Sequence, residues 1–342
     1  HTSNFEDMKG KTVLYCYHSV NISCIKHVRP FIVSVILYLL ASVAAMLTFC
    51  GNLVVIISIS HFKQLHTPTN ILVLSLAVAD FLVGILIMPF MVIRSVESCW
   101  YFGDIICSVY TNVLFVLTEV SILNLVIIAI DRYVALCDPL LYSTKITVGV
   151  ASLSVSIVWL VSLIYSCSVL FSDVNTKETI GSNRCPGDCV LILSKIWGTV
   201  DILFSFIFPA FIMITLYTKI FVVARRHIRA ISMQQKDSGN QTKTRLIKKS
   251  ERKAAKTLAI VVVVFILCWL PYYIYTILNQ FITFPVPPAI TGGFLWLAYL
   301  NSGLNPIIYA LFYPWFRKSL EQILTLNIFL PGSSLISLIP EN

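Results

Sequence analysis

The sequence has little charge. Of its 342 residues, 12% are Asp, Glu, Lys or Arg, whereas 57% are hydrophobic. A soluble domain of this size carries about 25% charged residues, so most of this chain must contact something other than water. Runs of about 20 apolar residues are what a helix needs to cross a bilayer core. The shortage of charge therefore excludes an ordinary soluble protein and favours a membrane protein.

Two other signals are missing. No nucleophile–base pair and no zinc-ligand spacing stands out, which argues against an enzyme. No internal repeat and no broken apolar segments are visible, which argues against a transporter or channel. That alternative would regain support if the purified protein moved cations across liposomes.

The charge that is present is mostly positive and concentrated in one place. The net charge is +9, and basic residues crowd the polar stretch 225–253, between two apolar segments. Basic loops beside membrane helices mark the cytoplasmic side. We therefore expect a cytoplasmic loop and contact with membrane lipid, and no nucleic-acid partner.

Seven apolar segments are long enough to cross a membrane with some tilt. They lie at 31–60, 68–94, 104–136, 147–171, 193–224, 254–280 and 287–312. This predicts an all-α membrane protein, with a seven-transmembrane helix bundle over 31–312.

The flanking segments complete the predicted topology. Seven spans and a cytoplasmic basic loop place residues 1–30 outside the cell, and the sequon at Asn21 agrees, because glycosylation occurs on the lumenal side. Residues 313–342 are predicted to form a short amphipathic eighth helix on the membrane and a cytoplasmic tail.

The cysteines sort by this topology. Six fall on the oxidising side, where disulfides persist: Cys16, Cys24, Cys99, Cys107, Cys185 and Cys189. An even number suggests three bridges. Six cysteines allow 15 pairings, and the residues alone do not choose among them.

Four acids lie inside predicted spans, namely Asp80, Glu119, Asp131 and Asp201. Charged groups there are costly, so each is a functional candidate, with a structural hydrogen bond as the alternative. Asp131 precedes Arg132 and Tyr133 and can neutralise Arg132 locally. Glu251, at the start of span six, offers Arg132 a second partner, which predicts a latch between two helices.

Asp80 predicts a cation site. Asn52, Asn301 and Asn305 lie at similar depth in spans one and seven. A carboxylate surrounded by amide oxygens suits a small hard cation such as sodium. The alternative is a water-filled hydrogen-bond network. No other cofactor is expected.

Asp201 and Glu119 have no Lys or Arg partner in the spans. A bound ammonium ligand would supply the missing positive charge. Aromatic faces attract ammonium groups, and aromatic residues cluster at comparable depth: Trp269, Tyr272, Tyr273, Trp296 and Tyr299. Core packing is their ordinary role, but beside an unpaired acid the binding interpretation is preferred.

Motifs along the whole chain resemble those of the rhodopsin-like G protein-coupled receptors. The matching residues are Gly51-Asn52, Leu76 to Asp80, Asp131-Arg132-Tyr133, Trp159, Phe265 with Cys268 to Pro271, and Asn305-Pro306-Ile307-Ile308-Tyr309. Each is weak alone, but their order and spacing together are specific.

A narrower resemblance, to the trace amine-associated receptors, is carried by three segments. They are Asn301 to Phe316, His61 to His66, and Glu97 to Gly103. The resemblance implies an odorant-type amine receptor at the plasma membrane that activates a stimulatory G protein and raises cAMP.

The resemblance also implies residue roles. Arg132, Tyr217 and Tyr309 would rearrange on activation to open a cleft for the G protein. Ile122, Pro209 and Phe265 would form a packing switch beneath the ligand, with Trp269 as its sensor. Ser121 would join the sodium site. The implied disulfides are Cys107–Cys189, Cys16–Cys185 and Cys24–Cys99.

The chain departs from the pattern of amine receptors at one position. Most of them carry an Asp in span three, eighteen residues before the Arg of Asp-Arg-Tyr, and here that residue is Leu114. Some fish-type members carry a compensating acid eight residues before the span-five proline, which corresponds to Asp201. We therefore expect Asp201 to take the ammonium, with Leu114, Phe115 and Thr118 lining the site.

Glu119 has two interpretations. It could bind a second ammonium of a di- or polyamine, or it could hydrogen-bond Ser205 or Asp201, and the hydrogen bond is preferred. A rival to the amine hypothesis is an orphan or constitutive receptor with a non-amine ligand, and basal signalling that no amine alters would support it.

Overall fold

The computed structural model describes residues 14–17, 23–180, 185–189, 193–234, 242–282 and 286–338, without the side chains of 173–180, 227–234, 242–255 and 288. Eight principal helices form the fold. They are α1 (Phe31–His61), α2 (Pro68–Glu97), α3 (Gly103–Cys137), α4 (Val148–Ile180), α5 (Lys195–Ile202 continuing through Leu203–Ile207 and Phe208–Gln234), α6 (Thr242–Ile282), α7 (Pro288–Phe312) and α8 (Pro314–Leu324). A short helix, Pro139–Lys145, joins α3 to α4.

The helix lengths and apolar faces suit a bilayer. Within the described residues, α1 to α6 each contain a stretch long and apolar enough to cross a membrane. The 25-residue α7 packs against α6 and α1, and its inward face carries the buried Asn301, Ser302 and Asn305. Large apolar side chains such as Leu39 and Val43 stay exposed on α1, which fits contact with lipid rather than water. The seven-helix bundle predicted from sequence is confirmed.

Local sequence sets where the helices begin. Proline occupies the first position of α2, α7 and α8, where its missing N–H is not needed and its fixed φ suits the helix. The side chain of Thr67 caps α2 by accepting from the backbone N–H of Asn70 at 3.3 Å.

Two spans contain a π-helical turn that the sequence did not reveal. Val83–Ile87 interrupts α2 and Leu203–Ile207 interrupts α5. Such turns insert an extra residue and are frequent at functional sites. The turn in α5 begins two residues after Asp201, so it sets the direction of the polar side chains on either side.

Helix α3 lies at the centre of the bundle. It packs against α2, α4, α5 and α6. On the other side, α1 approaches α7 so closely that a Cβ at Gly51 would lie 2.7 Å from Cβ of Pro306. Only glycine allows this approach.

Three disulfides define one end of the bundle, called here the disulfide end. Cys107–Cys189 ties the start of α3 to the segment after α4, as the family resemblance implied. The other two predicted pairings are wrong. The structure joins Cys16 to Cys99, with Cα atoms 5.7 Å apart, and Cys24 to Cys185, with Cα atoms 4.9 Å apart.

Backbone hydrogen bonds explain the observed pairing. The N–H of Cys16 donates to the carbonyl of Cys24 at 2.8 Å, beside an isolated antiparallel bridge between Tyr15 and Ile25, so the two cysteines lie on two paired segments. The N–H of Cys24 donates to the carbonyl of Pro186 at 3.0 Å, which brings Cys24 to Cys185. Cys16 is then left beside Cys99.

An ion pair also connects the N-terminal segment to α2 at the disulfide end. Nζ of Lys26 lies 2.6 Å from Oε2 of Glu97. This hydrogen bond to Glu97 raises the pKa of Lys26 above its ordinary value of 10.5, so the ammonium stays charged at neutral pH. Asn21, the predicted glycosylation site, lies outside the described residues.

The opposite end, called here the Arg132 end, differs from the prediction in its loop. Residues 225–253 were expected to form a loop, but α5 continues to Gln234 and α6 begins at Thr242. Arg, Lys, Gln and Ala are good helix formers, so the helices extend beyond the apolar segments. Helix α8 is amphipathic as expected, with Trp315, Phe316 and Ser319 buried.

Candidate functional site

The acid Asp201 lies on α5, one turn before Ser205 of the π-helical turn. The Ser205 hydroxyl lies 3.2 Å from Oδ1 of Asp201. Both side chains face the interior between α3, α4 and α5, where Ser205 is buried.

Glu119 of α3 joins this pair from across the bundle. It is 1% exposed, and the Ser205 hydroxyl donates a short hydrogen bond to its Oε1. Its Oε2 has no hydrogen-bond partner among the described residues. The predicted hydrogen bond between Glu119 and Ser205 is therefore present. A hydroxyl has a single proton, so Ser205 can donate to only one of the two acids at a time.

Tyr165 of α4 completes the cluster and was missed from sequence. Its hydroxyl donates to Oδ1 of Asp201 at 2.9 Å, and its ring packs on Phe204 with centroids 4.7 Å apart. A tyrosine inside an otherwise apolar span is a usable signal, since a buried phenol usually finds a hydrogen-bond partner. The signal does not name the partner, which lies 36 residues away.

An aromatic wall stands beside the acids. Trp269 is its centre, with ring centroids 5.8 Å from Tyr299, 5.9 Å from Tyr273 and 6.1 Å from Tyr272. Tyr273 stacks on Phe206 of α5 at 4.5 Å. Phe206 directly follows Ser205, whose hydroxyl contacts both acids. The sequence-predicted aromatic group of α6 therefore adjoins the acid cluster.

The other predicted ligand-site residues are more scattered. Thr118 and Phe115 are half-buried on α3, and Leu114 is half-buried against the apolar core. Trp296 lies apart from the wall: its indole N–H donates to Oγ of Ser95 at 2.9 Å, towards α2.

The acid cluster lacks a protein cation. Across the ranges that the structure describes, the two salt bridges are Lys26–Glu97 and Arg132–Asp131, and neither involves Asp201 or Glu119. Buried charges are normally paired. The cluster is therefore suited to a cation that comes from outside the protein.

A second buried acid, Asp80, is surrounded by oxygen atoms. It is fully buried, its Oδ1 accepts from Ser121 at 3.3 Å and its Oδ2 accepts from Asn305 at 2.7 Å. The Oδ1 atoms of Asn301 and Asn305 are buried without a partner among the described residues. A carboxylate beside unsatisfied amide oxygens is the ligand set of a hard cation, so these residues fit sodium.

Arg132 is held at its own end of the bundle. Its guanidinium donates to Oδ2 of Asp131 at 2.9 and 2.7 Å, to the Thr69 hydroxyl, and to the Tyr142 hydroxyl at 3.1 Å. Thr69 also donates to Asp131 at 2.7 Å. Burial raises the pKa of Tyr142, so it remains a phenol at neutral pH. The side chain of Glu251, the other predicted partner of Arg132, lies outside those described.

The remaining switch candidates are buried between the two ends. Ile122 and Phe265 lie in the main apolar core, and Pro209 is also buried. Phe265 lies 6.2 Å from Trp269, ring to ring. The hydroxyls of Tyr217 and Tyr309 are buried and find no hydrogen-bond partner in the described part of the chain. Tyr133, next to Arg132, faces Nζ of Lys219 at 5.9 Å.

Comparison with known proteins assigns the family. Residues 51–309 match the family model of the 7 transmembrane receptor (rhodopsin family). The chain is 48% identical to trace amine-associated receptor 13c of Danio rerio over 95% of this chain and 96% of that protein. It is 45% identical to trace amine-associated receptor 4 of Rattus norvegicus (95% of each chain) and 41% identical to trace amine-associated receptor 1 of Macaca mulatta (96% and 99%).

The chain belongs to the trace amine-associated receptors. It is a multi-pass membrane receptor and not an enzyme. A small-molecule ligand and a G protein are its partners. With Leu114 in span three, this trace amine-associated receptor carries two acids inside the bundle, Asp201 on α5 and Glu119 on α3, that form no salt bridge among the described residues.

Proposed function

We propose that this receptor detects amines from outside the cell and activates a stimulatory G protein that raises cAMP. It acts at the plasma membrane, with the disulfide end and the N-terminus extracellular and the Arg132 end cytoplasmic. One observation carries the proposal: Asp201 is a half-buried acid, linked to the aromatic wall through Ser205, Phe206 and Tyr273, and it has no protein cation among the described residues. The names of the related receptors support an amine ligand.

The geometry suggests how an ammonium is held. Asp201 supplies the opposing charge, and the hydrogen bonds from Tyr165 and Ser205 fix the orientation of its carboxylate. The faces of Tyr272, Tyr273 and Trp269 add cation–π attraction, worth about 2 kcal/mol or more when desolvated. Because the anchoring acid lies on α5 rather than α3, the ammonium end of the ligand points towards α5. This is the reverse of its orientation in receptors that carry the Asp in span three.

Ligand binding can reach the Arg132 end through packed contacts. A ligand shifts an equilibrium only by its differential affinity for the two states. An ammonium at Asp201 competes with the Ser205 hydroxyl for the carboxylate of Asp201, which leaves the Ser205 proton to Glu119 and so changes the link between α5 and α3. Trp269, which touches Tyr273 and Phe265, extends the path into the core.

Sodium is a proposed modulator at Asp80. The carboxylate of Asp80 would hold the ion, with Ser121, Asn301 and Asn305 supplying further oxygens. A bound ion would contribute a positive charge that favours one arrangement of α2, α3 and α7. Replacing NaCl by KCl in membrane preparations is expected to change the amine EC50 of the wild type and not that of Asp80→Asn.

A cAMP assay tests the main proposal. Mono-, di- and polyamines are screened on cells that express the wild type, Asp201→Ala or Asp201→Asn, with surface expression measured in parallel. We expect at least one amine to raise cAMP in the wild type. Its EC50 is expected to be at least a hundredfold higher in both variants at equal surface expression. A response that survives in both variants would exclude Asp201 as the anchor and make Glu119 the next candidate.

The alternative is a receptor for a non-amine ligand, and the absence of an acid at Leu114 favours it. It predicts a cAMP level that no amine changes, in the wild type as in the Asp201 variants. The same assay therefore separates the two functions.

A further inference from the structure

The chain after α8 returns towards the bundle. Residues 325–338, called here the returning tail, contain two short 3₁₀ turns, Asn327–Phe329 and Ser333–Leu335. Leu326 and Gly332 precede these turns with φ of 58° and 80°. Left-handed residues of this kind reverse the chain direction.

Polar contacts fix the returning tail to the start of the loop between α1 and α2. The N–H of Leu338 donates to Oε1 of Gln64 at 2.7 Å, and Oγ of Ser333 lies 3.0 Å from Nε2 of His61. Nζ of Lys318 on α8 donates to the carbonyl of Ser337 at 2.7 Å. The last six residues of the tail are thus held against both α8 and the end of α1.

One side of the returning tail is buried and the other is not. Leu338 is fully buried in the core that contains Phe62 and Leu65. In contrast, Phe329 is 82% exposed and Leu335 is 70% exposed. Three more large apolar side chains are exposed on the same short segment and its junction with α8: Leu324, Leu326 and Leu330.

The position of these side chains indicates what covers them. The returning tail packs beside α8 and the turn Lys63–Leu65 that follows α1, so it lies at the level where the span α1 ends. Contiguous exposed apolar groups normally mark an interaction surface, and here they begin at Leu324, at the end of the amphipathic α8. Lys63 lies in the contacting turn, and Lys318, which bonds the tail, is exposed on α8 beside Arg317. These positive charges suit the anionic headgroups of a cytoplasmic leaflet.

We propose that the returning tail is a membrane-docking element, whose occupant is the phospholipid leaflet at the Arg132 end. Phe329, Leu330 and Leu335 insert between lipids, while Gln64 and His61 hold the backbone of the tail against the bundle. This goes beyond an amphipathic α8, because the apolar groups lie after that helix has ended and their position depends on the loop between α1 and α2.

Site-directed quenching in the full-length receptor tests the proposal. The four free cysteines, Cys50, Cys137, Cys167 and Cys268, are replaced by alanine, and retained agonist response is the criterion for using this background. Leu330→Cys carries an environment-sensitive fluorophore in nanodiscs that contain anionic lipid. Glu321→Cys, on the exposed face of α8, is the matched control.

Lipids with a spin label near the headgroup are expected to quench the label at position 330 at least twofold more than the label at 321. Aqueous iodide is expected to give the opposite order. If iodide quenches the label at 330 more strongly than the label at 321, the proposal is overturned. The apolar groups would then be available to a cytosolic protein.

A second variant tests the backbone anchor. Gln64→Ala removes the acceptor for Leu338 without touching the apolar side chains, so lipid quenching at 330 is expected to fall by about half. Unchanged quenching in Gln64→Ala would overturn the role of the loop between α1 and α2. Glu321 labelling in the same variant reports whether α8 itself has moved.

Discussion

The hydroxyl of Tyr165 donates to the carboxylate of Asp201 at 2.9 Å, and this contact joins α4 to α5 at the acid cluster. Hydrogen bonds to charged groups contribute about 1.5–3 kcal/mol. We expect Tyr165→Phe to raise the amine EC50 about tenfold or more, since about 1.4 kcal/mol corresponds to a factor of ten.

Dose–response curves for cAMP measure that change. Ser168→Ala is the control, because Ser168 lies on the same helix and its hydroxyl bonds only its own helix at Ile164. An EC50 that is the same in Tyr165→Phe and wild type would show that the contact does not orient the anchoring acid.

The hydroxyl of Thr69 lies between Asp131 and Arg132 and contacts both. Thr69→Val removes it with little change in shape. The hydrogen-bond network is expected to keep Arg132 from the G protein. Losing about 1–1.5 kcal/mol of its stabilisation shifts the equilibrium between inactive and active receptor about fivefold to tenfold towards the active state.

Basal cAMP without ligand, corrected for surface expression, is therefore expected to rise several-fold in Thr69→Val. Thr218→Val is the matched control, since that hydroxyl bonds Ile214 within its own helix. Equal basal activity in both variants would show that the Thr69 hydroxyl does not help to hold Arg132.

Tyr217 and Tyr309 have buried hydroxyls with no partner among the described residues. A buried polar group without a partner is a cost, so we expect both hydroxyls to find partners in the active state. Tyr217→Phe and Tyr309→Phe should keep or slightly raise thermal stability without ligand, and should lower the maximal agonist response. Thermal melting of purified receptor and G protein activation measure the two effects; a loss of stability in both variants would contradict this.

Gly51 leaves no space for a side chain, whereas Gly292 does. A Cβ at Gly51 would lie 2.7 Å from Cβ of Pro306, and a Cβ at Gly292 meets nothing within 4 Å. Overpacking costs about 1–3 kcal/mol, and alanine in a helix interior gains about 0.5–1 kcal/mol over glycine. Melting temperatures should therefore fall for Gly51→Ala and stay level or rise for Gly292→Ala; the reverse order would show that α1 and α7 separate easily.

The disulfide pairing makes a direct chemical prediction. Mass spectrometry of non-reduced peptides is expected to find Cys16 with Cys99 and Cys24 with Cys185. Replacing both partners of one bridge should cost no more surface expression than replacing one. Detection of Cys16 linked to Cys185 would contradict the structure.

The helix bundle was predictable because its signal is the hydrophobicity of whole segments rather than the identity of single residues. Seven apolar segments, each near the length of a bilayer crossing, fix the helices without reference to any single contact. The acids Asp201 and Glu119 were also identifiable, since an ionisable residue in an apolar span stands out in the sequence. The hydrogen bond between Glu119 and Ser205 was predictable as well, because an acid in a span usually finds a polar neighbour.

The features that were missed depend on details that composition does not encode. Nothing in Leu203–Ile207 marks a π-helical turn, because the turn comes from the packing of α5 against its neighbours. The pairing of Cys16 and Cys24 depends on which of two antiparallel segments each occupies, and backbone hydrogen bonds set that. The partner of Tyr165 lies on another helix, so the sequence shows the phenol but not its contact.

The bridge between Cys24 and Cys185 has a consequence for how the receptor is made. The two cysteines are 161 residues apart, and all of α1 to α4 lies between them. A ribosome releases the chain from its N-terminus, so Cys24 must wait unpaired while four helices are threaded into the bilayer. This bridge can thus close only after α4 has been made, and a chain arrested before residue 185 has no native partner to offer Cys24.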